Sequence, residues 1–176
     1  DTLFKPSKCK NPKTLMKVQK YLDNIPNINM GGCGISALSM YRWLKKNNKL
    51  NNTKFVFIYD DRSAYLNNDN VLRNSTGQPK SCAHVVLLHD GKFIDSNGDA
   101  DIRSVKRWIQ IIGEEEFVER AVREGCWNRH FDRDNISIIE AKLEIDLSDI
   151  RNKDREVDYI VNKKSIKNFL LDLFSI

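Results

Sequence analysis

No stretch of this chain is long and apolar enough to span a membrane; its uncharged apolar runs fall far short of the roughly 20 residues a transmembrane helix needs. The start, Asp1-Thr2-Leu3-Phe4-Lys5-Pro6, lacks the apolar h-region of a signal peptide. It does not open on methionine, so an earlier leader stays open. Repeats and low-complexity linkers are missing too. So is any Cys-x-x-Cys pair: Cys9, Cys33, Cys82 and Cys126 stand far apart, which excludes a zinc ribbon. Cys82 and His84 make a Cys-x-His pair, but no second close pair completes a ligand set, and neither a metal nor another cofactor is expected. A chain of 176 residues is one domain by size and can bury a core without staples. Its cysteines therefore need not pair, and a reducing compartment such as the cytoplasm is the simpler expectation.

What is present is ordinary globular composition, 40% hydrophobic and 30% charged, which excludes a disordered chain. The net charge of +5 gathers in two places, Lys5, Lys8, Lys10, Lys13, Lys17 and Lys20, then Arg42, Lys45, Lys46, Lys49 and Lys54. Aromatic residues do not interleave with these lysines, and no named binding motif occurs, so no specific nucleic-acid partner is expected. A solvated basic surface is the plain reading, and such a surface can steer an acidic partner.

The most informative stretch is Gly31-Gly32-Cys33-Gly34, followed by Ile35 to Leu44 with apolar residues at helical spacing. It reads as a glycine loop ending in a cysteine that opens a helix running to about Asn48. A thiol there feels the positive end of the helix dipole, which favours the nucleophilic thiolate. Taken alone, Cys33 reads equally well as a buried thiol packing like a small apolar residue.

A second motif shifts that balance. Ser81 to His89 reads as a buried strand, Asp90-Gly91 as a two-residue hairpin turn, and Lys92 to Asp95 as the return strand. With that turn, His89 faces Lys92, Leu88 faces Phe93, Val86 faces Asp95 and His84 faces Asn97. Alternation puts His84, Asp95 and Asn97 on one side, with both partners within reach of the imidazole. A carboxylate or amide beside a histidine holds a general base in one tautomer and orientation. His89 points the other way and reads as a bystander at the hairpin tip.

Elsewhere the pattern predicts a helix from Asn11-Pro12-Lys13 to about Leu22 and a strand over Phe55–Tyr59. A long polar loop is expected from Arg62 to Pro79, with helices over Ser104–Ile112 and Glu114–Glu124. One long or two short strands are expected from Ile136 to Ile145, and a closing helix over Ile166–Phe174 with Ser165 as N-cap. The expected class is α+β, with helices packed against an antiparallel sheet.

The order of a cysteine at a helix start, a histidine on a later strand and an Asp or Asn on the next resembles the papain-like cysteine peptidase superfamily. The compact gaps between Cys33, His84 and Asp95 are similar to its small NlpC/P60, transglutaminase-like and papain-like toxin branches. The phrase His84 to Asp95 resembles the histidine–strand–Asp signature of transglutaminase-like and deamidating domains. The resemblance covers roughly Pro26 to Gly98, and the loop before Cys33 lacks the Asp-Cys start of NlpC/P60 enzymes. It implies a papain-like core with the nucleophile-bearing helix on an antiparallel sheet. It also implies a Cys33–His84 pair, with Asp95 (transglutaminase-like) or Asn97 (papain-like) orienting the imidazole. An oxyanion would be held by the Cys33 N–H and by an upstream amide. Asn27 has the position of the papain-type Gln, with Asn29 close by, although an asparagine in this loop also serves simply to form a turn.

Three functions stand open. The first is a cysteine hydrolase cutting a peptide, isopeptide or amide bond of a protein or peptide. The second is a glutamine deamidase or transglutaminase with the same triad. The third is a non-catalytic interaction module on the same fold. Substrate and oligomeric state are not legible.

Overall fold

The computed structural model describes residues 11–29, 31–59, 65–66, 72–73, 84–100, 108–123 and 134–150. Thr14 is extended at φ −132° and ψ 151°, and its side chain accepts a hydrogen bond from the Lys17 N–H, which starts helix α1 at Leu15–Asp23. One turn apart on its inner side, Val18 and Leu22 are fully buried. Helix α2, Cys33–Lys46, buries Ile35, Leu38, Trp43 and Leu44, and stops where Asn48 takes a left-handed φ of 54°.

Strand β1 (Lys54–Tyr59) carries a dense apolar run because both its faces are covered. Two-residue strands β2 (Tyr65–Leu66) and β3 (Leu72–Arg73) pair inside the stretch expected to be loop. Strands β4 (His84–His89), β5 (Lys92–Asp95), β6 (Gly98–Asp99) and β7 (Trp108–Ile112) join β1 in a five-stranded sheet. Its order is β6-β5-β4-β1-β7, and each neighbouring pair is antiparallel. With helices on one side of this sheet, the molecule is α+β.

Phe55, Phe57, Val85, Leu87, Ile94 and Ile112 form the sheet's contribution to the main core, packed with Leu38, Trp43 and Leu44 of α2. Val56, Ile58 and Val86 form a smaller cluster on the other face, with Leu88 and Phe93 against it. Helix α3 (Glu114–Arg123) begins with three glutamates, which suit a helix N-terminus, and anchors through Phe117. The Phe117 ring stacks on Phe55 at 4.0 Å and on Phe57 at 5.4 Å. Arg42 of α2 then ties the helical layer together. Its Nη1 and Nη2 donate to the two Asp149 oxygens at 2.9 and 2.6 Å, its Nε donates to Glu114 at 3.2 Å, and it also reaches the Asp146 carbonyl.

Two expected elements are corrected. The segment ending at Ile112 is strand β7 from Trp108 onward, because pairing with β1 in the register Phe55↔Ile112 to Tyr59↔Trp108 outweighs its helix-like spacing. Residues Ile136 to Leu143 belong to helix α4 (Asp134–Leu143) and not to strands: Ile136, Ile139 and Leu143 fall on one buried helical side. The expected helix over Ile166–Phe174, Cys9, Cys82 and Cys126 lie outside the described residues. No described helix is long and apolar enough to cross a membrane.

Candidate active site

The chain reaches the site through a turn anchored by buried Ile25 and Ile28. Between them Asn27 is exposed and left-handed at φ 64°, the conformation of a turn-forming asparagine. Gly31 at φ 108° needs the freedom of glycine, and it swings the chain into α2. Gly32 is the N-cap and offers no side-chain cap, and the first helical hydrogen bond runs from the Ser36 N–H to the Gly32 carbonyl at 2.9 Å. The N–H groups of Cys33, Gly34 and Ile35 therefore have no acceptor within the helix. Cys33, a free cysteine, sits at this open helix start and is partly exposed.

The tip of the hairpin is made by Asp90 at φ 51° and Gly91 at φ 74°, a pair of left-handed residues that suits the twist of the strands. It sets the register His89↔Lys92, Leu88↔Phe93 and Leu87↔Ile94, as the sequence pattern requires. His84 opens β4 and Asp95 closes β5, so both lie at the same end of the sheet. His84 Nε2 is 3.3 Å from Asp95 Oδ2, with about a quarter of the imidazole and a sixth of the carboxylate exposed. Hydrogen bonds to Asp95 and then to the Cys33 side chain push the His84 pKa up to about 9, against the opposing effect of burial. Cys33, His84 and Asp95 are thus brought together, from a helix start and two strand ends.

Asn97 is a correction. β5 stops at Asp95, and the chain reverses at once through Ser96-Asn97 into β6, with Asp95 opposite Gly98. The Asn97 side chain is exposed on this turn instead of continuing along β4 opposite His84. Its backbone contributes, since the Asn97 N–H donates to Asp95 Oδ1 at 2.8 Å. One carboxylate oxygen is held by the turn and the other faces the imidazole.

A supporting set, whose contacts the sequence pattern does not specify, surrounds the Asp95 turn. Gln19 Nε2 of α1 donates to the Asp95 carbonyl at 3.0 Å and the Gly98 carbonyl at 3.5 Å, clamping the β5–β6 turn. Leu15, Gln19 and Leu22 share one helix face, so the helical spacing signals that the Gln19 amide must find a partner but not which one. Buried Ser96 donates to Asn29 Oδ1 at 3.1 Å and Asp23 Oδ1 at 3.5 Å, while Asn29 Nδ2 donates to Asp23 at 3.4 Å. Asn29 therefore holds the turn beside Asp95. His89, at the other end of β4, pairs Nδ1 with Thr53 Oγ1 at 2.7 Å, and burial lowers its pKa. Among the described residues no group of three or more His, Cys, Asp or Glu side chains is disposed to hold a metal ion.

No family model, curated protein or solved structure matches this chain.

Proposed function

We propose that this protein is a cysteine hydrolase with a papain-like core, acting on a peptide, isopeptide or amide bond of a protein or peptide. The observation that carries the reading is the His84 imidazole bonded to both Asp95 and Cys33, with its pKa raised to about 9. A histidine that keeps its proton through neutral pH beside a helix-start cysteine is the setting in which a thiol works as thiolate. Asp95 occupies Nε2, so Nδ1 remains for the sulphur.

In this reading the Cys33 thiolate attacks the amide carbonyl carbon and forms a C–S bond. The uncapped N–H of Cys33 donates to the developing oxyanion. The C–N bond breaks, the imidazolium proton passes to the departing amine, and an acyl-thioester remains. Water, giving its proton to the now neutral His84, attacks the acyl carbon, the C–S bond breaks, and the acid leaves with the thiolate–imidazolium pair restored. Asp95 stays ionised throughout and orients the ring.

A carboxylate, and not the Asn97 side chain, beside the imidazole favours a second reading in the transglutaminase-like branch, with a glutamine side-chain amide as the target. One experiment separates the two. A mixture of unfolded proteins is incubated with the wild type and with Cys33→Ala, then read by intact mass. Hydrolysis of backbone or isopeptide bonds gives fragments that the variant does not produce. Deamidation leaves lengths unchanged, raises masses and releases ammonia, and a transglutaminase incorporates an added primary amine. Equal binding of one partner by both proteins, with no chemical change in it, would leave the interaction module as the survivor.

A further inference from the structure

On the outer side of α1 lies a cleft of about 490 Å³, lined by Lys13, Lys17, Lys20 and Lys142 together with Asn11 and Asn24. Pro12 and Tyr21 also line it, and among the described residues no carboxylate contributes to the lining. Glu144, the acid that bonds Asn11, is itself paired with Lys46. The first turn of α1 carries no acidic residue. Lys13 and Lys17 thus stand at the positive end of the helix dipole, where carboxylates are the stabilising choice, while Lys20 lies in the last turn of α1 and Lys142 in that of α4. Like charges gathered around one cleft repel, and an anion in it would relieve that repulsion. The Tyr21 hydroxyl is enclosed and finds no hydrogen-bond partner among the described residues. Burial pushes its pKa up to about 12, so it remains a neutral donor.

We propose that this cleft docks an extended acidic segment of the protein substrate, holding it beside the helix that positions Asp95. The proposal rests on the reading of Cys33 as a nucleophile that acts on a protein. α1 has nine residues, so the cleft beside it runs about 14 Å, the reach of roughly four residues of extended chain. Alternate side chains of such a chain stand about 6.7 Å apart on one side, a spacing that flexible lysine stems can follow. Charges spread along a helix suit several carboxylates in a row better than one phosphate, which calls for converging donors. Single-stranded nucleic acid is disfavoured because Tyr21, the one aromatic residue among the described residues of the lining, has Lys142 Nζ 6.0 Å from its ring centre, where a base would stack. The inner side of the same helix carries Gln19, which clamps the Asp95 turn. Docking on one side of α1 therefore sits one helix diameter from the triad.

The test is fluorescence anisotropy with a short labelled peptide of alternating glutamate and serine. The wild type, Cys33→Ala and the exposed double reversal Lys17→Glu/Lys20→Glu are compared at low salt, and iodoacetamide labelling of Cys33 is followed in the wild type and the double reversal. The expected result is equal binding by the wild type and Cys33→Ala, weakened about tenfold or more by the double reversal. Cys33 labelling should stay unchanged in the double reversal. Inorganic phosphate at matched ionic strength and an oligothymidylate of equal charge should compete poorly. Absent peptide binding, binding indifferent to the reversal, or tighter binding of the oligothymidylate would each overturn the docking proposal. Loss of Cys33 reactivity in the wild type would instead strike the nucleophile reading, which this assay scores separately.

Discussion

His84 and Asp95, on neighbouring antiparallel strands, meet at 3.3 Å between Nε2 and Oδ2, while the other Asp95 oxygen is held by the Asn97 N–H at 2.8 Å. A carboxylate held at one oxygen cannot swing away from the ring, so it acts on both the orientation and the charge of the imidazole.

The first prediction is a titration. The His84 ring, followed by NMR, should lose its proton near pH 9 in the wild type, against an ordinary value of 6.5. Asp95→Asn removes the largest cause of that shift and should move the midpoint downward. A midpoint unchanged by Asp95→Asn would mean that the pair does not control the ring.

The same shift fixes the sign of a stability effect, best read in Cys33→Ala, where no thiol titrates beside the ring. Asp95 still raises the folded-state pKa of His84 above the unfolded 6.5. Below that value both states hold the proton, and the full stabilisation is present. As pH rises through the folded-state value the imidazolium is lost, and the contribution goes with it. Urea midpoints of Cys33→Ala should therefore fall from pH 6 towards alkaline pH more steeply than those of Cys33→Ala/Asp95→Asn, the ordinary 6.5 marking where the loss begins. Parallel curves would contradict this.

Gln19→Ala should cost about 1 kcal/mol, since it removes one well-formed hydrogen bond to the Asp95 carbonyl and leaves a part-buried acceptor. It should also slow Cys33 alkylation by loosening the turn that carries Asp95. Gln19→Glu offers an acceptor where the turn needs a donor and should not restore the rate. Urea denaturation and labelling kinetics measure the two effects.

Arg42→Ala should destabilise by about 1–3 kcal/mol, because two carboxylates and a carbonyl lose a shared donor. Arg42→Lys should recover only part of this, for an ammonium cannot make the paired contacts to Asp149. Thermal unfolding of the three proteins gives the ranking.

The hairpin was legible because Asp90-Gly91 names its turn and the turn names the register, which put His84 and Asp95 side by side. Asn97 was misplaced because the strand rule was extended past Asp95. Ser96-Asn97 is a second tight turn into Gly98, whose φ of 117° only glycine adopts comfortably. The isoleucine-rich run Ile136-Ser137-Ile138-Ile139 suits a strand, yet Ile136, Ile139 and Leu143 also satisfy a helical stripe, and the core selects the helix. Trp108–Ile112 went the other way, since only the open edge of β1 decides it. Gln19 and the turn-holding role of Asn29, which the sequence offers only as an amide near the oxyanion position, depend on contacts between segments that no local pattern specifies.

Whether His84 makes Cys33 a nucleophile is decided by competitive alkylation. Wild type and His84→Ala are treated with limiting iodoacetamide at pH about 6, where an ordinary thiol is almost wholly protonated. The extent of modification at Cys9, Cys33, Cys82 and Cys126 is mapped by mass spectrometry. Cys33 should react first in the wild type and lose its lead in His84→Ala. Equal rates at all four cysteines, or a Cys33 lead that survives the loss of His84, would contradict it.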